Sequence, residues 1–233
     1  MAAHGNSNIV TDGLVLCLDA ADKNSYPGSG TTWYDLSGNN DTTINGSTYN
    51  SGGYFVLDGT NDYFEVTSDG SSDFAKQEFS IEFWCYITLD GSYDVLWSYD
   101  YTEHSEPYYA QHWRSVTSTP YLFAGWNEGG SYSYDTVHYT AEHTANAWKH
   151  YVWTLSDGGS TKISNMYQDG ALLATETDDS TDITYYSQEV WIGKANFEGW
   201  YKGNIASVKF YERALSATEV KQNFNALRHR FGV

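Results

Sequence analysis

Basic residues are scarce in this sequence: 12 Lys and Arg stand against 30 Asp and Glu, a formal charge of −18. Such a surface repels phosphate backbones and anionic lipid, which sets nucleic acid and membranes aside as partners. Cysteine is scarcer still, and both Cys17 and Cys85 lie inside apolar runs, where a thiol behaves as a small core hydrophobe. One disulfide is the most they allow, and a chain of 233 residues does not need it. No apolar run is long enough to span a membrane. The segment Met1 to Asn8 lacks the basic start and apolar stretch of a secretory signal peptide. Nucleophile-elbow, zinc-protease and Cys-x-x-Cys patterns are all missing, and the seven histidines are scattered.

Aromatic residues, by contrast, make up 17% of the chain against 18% charged, enough to fill a large core and leave Tyr and Trp for the surface. The length suits a single all-β domain over residues 1–233. Period-two alternation dominates. Phe79, Ile81, Phe83, Cys85 and Ile87 predict one face of a strand, with Ser80, Glu82, Trp84, Tyr86 and Thr88 opposite. Leu14 to Leu18, Trp148 to Leu155, Ile163 to Gln168, Val190 to Ile192 and Ile205 to Tyr211 read as further strands, and Asp169-Gly170 as a tight hairpin turn into Ala171 to Ala174. One short helix is predicted near the end, where Ser216 and Glu219 form a capping box and Val220, Phe224 and Leu227 recur at helical spacing. Half of the basic residues (Lys202, Lys209, Arg213, Lys221, Arg228 and Arg230) fall in this last stretch, which reads either as a docking edge or as internal charge balance.

Several phrases carry a resemblance. Thr32-Trp33-Tyr34-Asp35-Leu36-Ser37-Gly38, Leu57-Asp58-Gly59-Thr60-Asn61-Asp62-Tyr63 and Phe79 to Trp84 precede Trp148 to Trp153, Met166 to Gly170 and Gly203 to Ser216 in one order. That order resembles a laminin-G-like domain of the concanavalin A-like lectin and glucanase superfamily. The resemblance implies a jelly-roll sandwich of two antiparallel sheets with one short C-terminal helix. It fails between Tyr93 and Tyr139, where no family phrase occurs and Tyr and Trp crowd together. Sugar-binding proteins use flat aromatic faces in this way, as do protein interfaces and packed sheets. Trp97, Tyr99, Tyr101, Trp113 and Trp126 are the ligand candidates that follow.

Glucanases of the same superfold carry Glu-x-Asp-x-Glu on one strand, and Glu78-Phe79-Ser80-Ile81-Glu82 is similar in outline. Ser80 stands where the middle carboxylate would tune the pair, so catalysis is not expected. Many relatives also hold a rim cation with hard oxygen donors; Asp35, Asp58, Asn61 and Asp62 match those loop positions, making calcium the metal to consider. The same residues form turns without any ion. The opening and closing phrases, including Asn223 to Arg228 and Phe231-Gly232, resemble those of bacteriophage structural proteins. The resemblance therefore implies a non-enzymatic protein at a virion surface, a capsid decoration or a tail-fibre component. It would be multi-copy, docked on other virion proteins, and in contact with host glycans. The alternative is a carbohydrate-binding lectin or adhesin; a glucanase comes third.

Overall fold

The computed structural model describes residues 8–38, 40–66, 74–88, 93–100, 109–116, 121–127, 134–142, 144–178, 183, 189–195 and 199–233; side chains of residues 93, 100–142, 178 and 189 lie outside the description. Two eight-stranded antiparallel sheets face each other. The first runs β14 (Ala171–Asp178), β13 (Lys162–Gln168), β12 (Trp148–Asp157), β7 (Phe79–Ile87), β16 (Lys202–Tyr211), β5 (Tyr54–Asp58) and β4 (Thr48–Asn50), with β1 (Leu14–Asp19) also on β16. The second runs β11 (Tyr134–Glu142), β10 (Tyr121–Asn127), β9 (Tyr109–Val116), β8 (Tyr93–Asp100), β15 (Glu189–Ile192), β6 (Tyr63–Val66), β3 (Thr42–Asn45) and β2 (Thr32–Trp33). Helix α1 (Ala217–Phe231) closes the chain. The jelly-roll sandwich with one C-terminal helix thus stands as the resemblance implied.

Aromatic rings lock the sheets together. Trp33 and Phe64 of the second sheet meet Phe55 of the first at centroid distances of 4.8 and 5.2 Å. Further along, Trp97 of β8 stacks on Phe210 of β16 at 5.5 Å, and within the first sheet Phe79 meets Trp153 edge-on at 4.8 Å. Offset and edge-on pairs of this kind add to the area they bury. Cys17 and Cys85 are buried and unbonded to each other, and burial pushes their thiols up to about 11 and about 12. At the hairpin, Asp169 (φ 52°) and Gly170 (φ 75°) supply the two positive φ angles of a two-residue turn.

Strand β7 departs from simple alternation, because Ser80, Glu82 and Trp84 on its outer face are as buried as its core face. The cause is α1, which lies across that face. Its capping box forms as expected, with Ser216 accepting from the Glu219 N–H. Its deepest residues are Val220, Asn223 and Ala226, so the buried stripe is rotated from the expected Val220–Phe224–Leu227 line. Asn223 sets that rotation. Its Nδ2 donates to Glu82 Oε2 at 2.6 Å and to the Tyr211 hydroxyl at 2.9 Å, while its Oδ1 accepts from the Val10 N–H at 2.8 Å. Glu82 in turn receives Lys209 Nζ at 2.7 Å on Oε1, and His150 Nε2 lies 3.3 Å from the same oxygen. Lys209 is the direct cross-strand neighbour of Glu82. Burial alone would raise the Glu82 carboxyl, but the Lys209 ammonium, with His150 behind it, outweighs that and holds it well below the usual carboxylate range. The lysine shifts up for the converse reason. Two more of the six C-terminal basic residues are spent the same way: Arg213 pairs with Glu219 (2.6 Å) and Asp12 (2.9 Å), and Arg230 with Asp19 (2.7 Å). Internal charge balance is the reading these pairs support.

Two outcomes follow for folding. Lys209→Met leaves the buried Glu82 unpaired and should cost about 3–5 kcal/mol in urea unfolding. Because the folded Glu82 carboxyl lies below its unfolded value of about 4.3, its contribution is present above that pH and is lost as the pH falls below it. The parent should therefore lose stability in acid more steeply than the double variant: Glu82→Leu with Lys209→Met should show a flatter stability profile below about pH 4.3 than the parent, and an unchanged profile would contradict the network. Separately, Trp97→Ala should cost about 3–5 kcal/mol, as for any large core aromatic.

Candidate functional site

The described ligand candidates of the aromatic segment fall on the adjacent strands β8, β9 and β10, while the carboxylate candidates lie elsewhere in the fold. Trp97 and Tyr99 are fully buried, so they are part of the inter-sheet core and not a surface platform. The correction has a physical reason: β8 pairs with β15 in the middle of the second sheet, where inward rings meet the opposite sheet. Trp113 and Trp126 occupy β9 and β10, at backbone positions opposite Trp97 and Gln111 respectively; their side chains, and Tyr101 altogether, lie outside the described residues.

The strand that resembles a glucanase active strand is occupied by structural work. Ser80 Oγ donates to the Arg213 carbonyl at 2.9 Å and accepts from the Leu215 N–H at 2.8 Å, which stitches the approach to α1 onto β7. Glu78 accepts from the Asp157 N–H at 2.8 Å. Glu82 is sealed beneath α1 and held by Lys209 and Asn223. The two glutamates therefore do not face a shared open cleft.

At the rim, Asp35 Oδ1 accepts from the N–H groups of Cys17 (2.8 Å) and Ser37 (2.9 Å) and from the Ser37 hydroxyl (2.7 Å). Asp58 accepts from the Thr60 N–H at 2.7 Å, and Asp62 from the Asp58 N–H at 3.0 Å. Burial pushes the Asp62 carboxyl up, with the Asp58 N–H opposing that, while Asn61 stays exposed at the turn. Among the described residues no group of three or more His, Cys, Asp and Glu side chains converges as metal ligands. These carboxylates build turns in the way short Asp side chains do.

A different cluster assembles on the outer face of the second sheet. Tyr63 of β6 and Trp191 of β15 share that face, since Phe64, Val66, Val190 and Ile192 point into the core. Gly193 ends β15 with φ +88°, and a Cβ there would fall 2.8 Å from Leu57. Only glycine suits such a turn. The turn brings Lys194 back over the strand, with Nζ 3.8 Å from the Trp191 ring centroid, 4.0 Å from Tyr63 and 5.8 Å from Trp200. Gly193 donates its N–H to the Leu96 carbonyl at 3.2 Å, the Lys194 carbonyl accepts from Ser98 Oγ at 2.8 Å, and Ala195 packs on Val95. The excursion closes where Tyr201 N–H reaches the Gly193 carbonyl at 2.8 Å and Lys202 N–H reaches Asp94 Oδ1 at 2.7 Å. Tyr63, Lys194 and Trp200 are half-buried, while Trp191 is 3% exposed. An ammonium over ring faces is held by the ring quadrupoles. The sequence reading missed this cluster: its members come from three separate segments, and only the sheet order brings them together.

Comparison with solved structures supports the architecture. The chain superposes on Trypanosoma rangeli sialidase with a TM-score of 0.69 at 15% identity, covering 94% of this chain and 33% of that one. The same sialidase in complex with sialic acid gives a TM-score of 0.66 at 16% identity. The binding domain of Botulinum Neurotoxin DC in complex with SialylT gives 0.71 at 16% identity, covering 93% of this chain and 52% of that one. The chain thus spans about a third of the sialidase and about half of the toxin fragment, and at such identities the likeness is one of fold. A comparison with curated proteins finds no match. The Laminin_G_3 family model matches residues 58–221, a span that includes the aromatic middle segment where no family phrase was legible. With β6 through β16 inside that match, the chain belongs to the concanavalin A-like lectin/glucanases superfamily.

Proposed function

We propose that this protein is a non-enzymatic recognition domain that binds carbohydrate, carried in many copies at the surface of a virus particle as a decoration or tail-fibre component. The observation that carries the recognition reading is the Tyr63–Trp191–Trp200 cluster around Lys194, which sets half-exposed aromatic faces beside a hydrogen-bonding cation on one sheet face. Stacking faces with polar groups at their edge are what a sugar ring needs. The sealing of Glu82 under α1 weighs against glycoside hydrolysis, which requires two carboxyl groups open to one substrate. The sialic acid and SialylT in the neighbours' names belong to proteins much longer than the matched portion, yet they fit a sandwich that works beside glycans. The virion placement rests on the likeness of the opening and closing phrases to phage structural proteins, and docking there would be through protein contacts. A free lectin or adhesin is the second reading, favoured by the same cluster.

A glycan array probed with the purified chain, with and without calcium, should show binding to a restricted set of glycans that is the same in both conditions. Binding to nothing in either condition would leave a purely structural surface protein. Antibody raised against the chain should label intact particles; labelling confined to soluble lysate would favour the lectin.

A further inference from the structure

We propose that the outer face of the first sheet, past the end of α1, carries a second sugar-binding site in which Tyr54, Tyr86, Trp148 and Asn204 take a neutral saccharide. This rests on the carbohydrate reading above but on different residues, at the opposite face of the sandwich. Trp148 of β12 pairs across the strands with Tyr86 of β7, Tyr86 with Asn204 of β16, and Asn204 with Val56 of β5, so the four lie in one row. Their strand neighbours Phe55, Leu57, Cys85, Ile87 and Ile205 belong to the core, which turns the row outward. Tyr54 leans over it, with its ring edge-on to Trp148 at 5.3 Å, and Tyr86 meets Trp148 edge-on at 6.1 Å. An edge-on pair consumes one ring face where a parallel stack consumes two. All three rings and Asn204 are half-buried, and Val56 is exposed.

Every polar end on this platform is uncommitted. The Tyr54 and Tyr86 hydroxyls, the Trp148 Nε1–H and the Asn204 side-chain amide make no hydrogen bond among the described residues, and none of these atoms is enclosed. The hydroxyls of Tyr151, Tyr201 and Tyr211, by contrast, all donate to backbone carbonyls. The open groups donate and accept around apolar ring surface, which matches a pyranose with one C–H face and a rim of hydroxyls. The charges alongside face opposite charges: Lys149 meets Asp169 at 2.6 Å, Arg230 meets Asp19 at 2.7 Å, and Lys202 stands across the strands from Asp58. A charged ligand would lose water here without gaining a partner, so the site selects a neutral one. The platform is also braced before any ligand arrives. Phe231, the last residue of α1, packs on Trp148 at 4.9 Å, and Arg230 donates to the Gly53 carbonyl at 2.8 Å, one residue before Tyr54. Side chains fixed in advance lose little freedom on binding. A partner protein fits less well, since these few side chains fall far short of the roughly 20–30 residues a side of a stable interface.

The test titrates the full chain by calorimetry and tryptophan fluorescence with cellohexaose, maltohexaose, chitotriose and lactose, and with 3′-sialyllactose as the charged counterpart of lactose. Trp200→Ala, which disables the cluster on the second sheet, should still bind at least one of the four neutral sugars. Adding Trp148→Ala or Asn204→Ala to it should weaken that binding about tenfold. Trp148 supports Phe231, so its loss can loosen α1; Asn204 makes no side-chain hydrogen bond, and its variant should keep the parent's thermal midpoint. Binding indifferent to both additions would overturn this site and place the sugar elsewhere on the protein. Binding lost in Trp200→Ala alone would also overturn it and leave the second-sheet cluster as the sugar site. Tighter binding of 3′-sialyllactose than of lactose by Trp200→Ala would overturn the neutral class. A parent that sediments as a dimer and a Trp148→Ala variant that sediments as a monomer would make this face a seam between copies, and the inference would fall. A parent that binds none of the four neutral sugars overturns the inference; one that binds nothing on the glycan array either overturns the function it rests on as well.

Discussion

A carboxylate placed at the centre of a sheet has to be neutralised where it lies, and the position of Glu82 dictates much of what surrounds it. Desolvating a carboxylate and an ammonium costs several kcal/mol per ion, which their attraction repays only with close geometry and further hydrogen bonds. Both conditions are met: Lys209 stands directly across the strand pair at 2.7 Å, and Asn223 caps the other oxygen at 2.6 Å. Because Asn223 belongs to α1 and also binds Val10, one buried charge fixes the register of the helix and the path of the N-terminal segment together. Trp84, stacked between Phe231 at 4.2 Å and Phe224 at 5.8 Å, then seals the site from water.

That roof closes Glu82 off from the surface of its sheet. A fold does not choose between binding and chemistry; the exposure of particular side chains does. On β7 the outer face is consumed by helix docking, and Ser80 is part of the stitching. The second sheet leaves aromatic side chains half-buried at Tyr63 and beside it at Trp200, and the first sheet does so at Tyr54, Tyr86 and Trp148.

Local signals in the sequence were faithful where the physics is local. The Ser216–Glu219 box, the Asp169-Gly170 turn and the strand at β7 depend on residues within a few positions of each other, and each appears in the fold. The density of aromatics from Tyr93 onward could not say which rings are inside, because a core ring and a ligand platform have the same composition. Trp97 became core through pairing with β15, nearly a hundred residues later in the chain. The Lys194 cluster was hidden for the same reason. Its only local hint is Gly193, whose meaning depends on Leu57 lying against it. Asn223 reads as an ordinary polar helix residue until Glu82 is found beneath it.

The two cysteines bear on where such a protein can function. Both thiols are enclosed, and with values near 11 and 12 they stay protonated at any physiological pH, the form that reacts slowly with oxidants and disulfides. No covalent bond of the fold changes between a reducing and an oxidising medium. The same molecule can mature among reduced thiols and then persist in open air without a redox step in between.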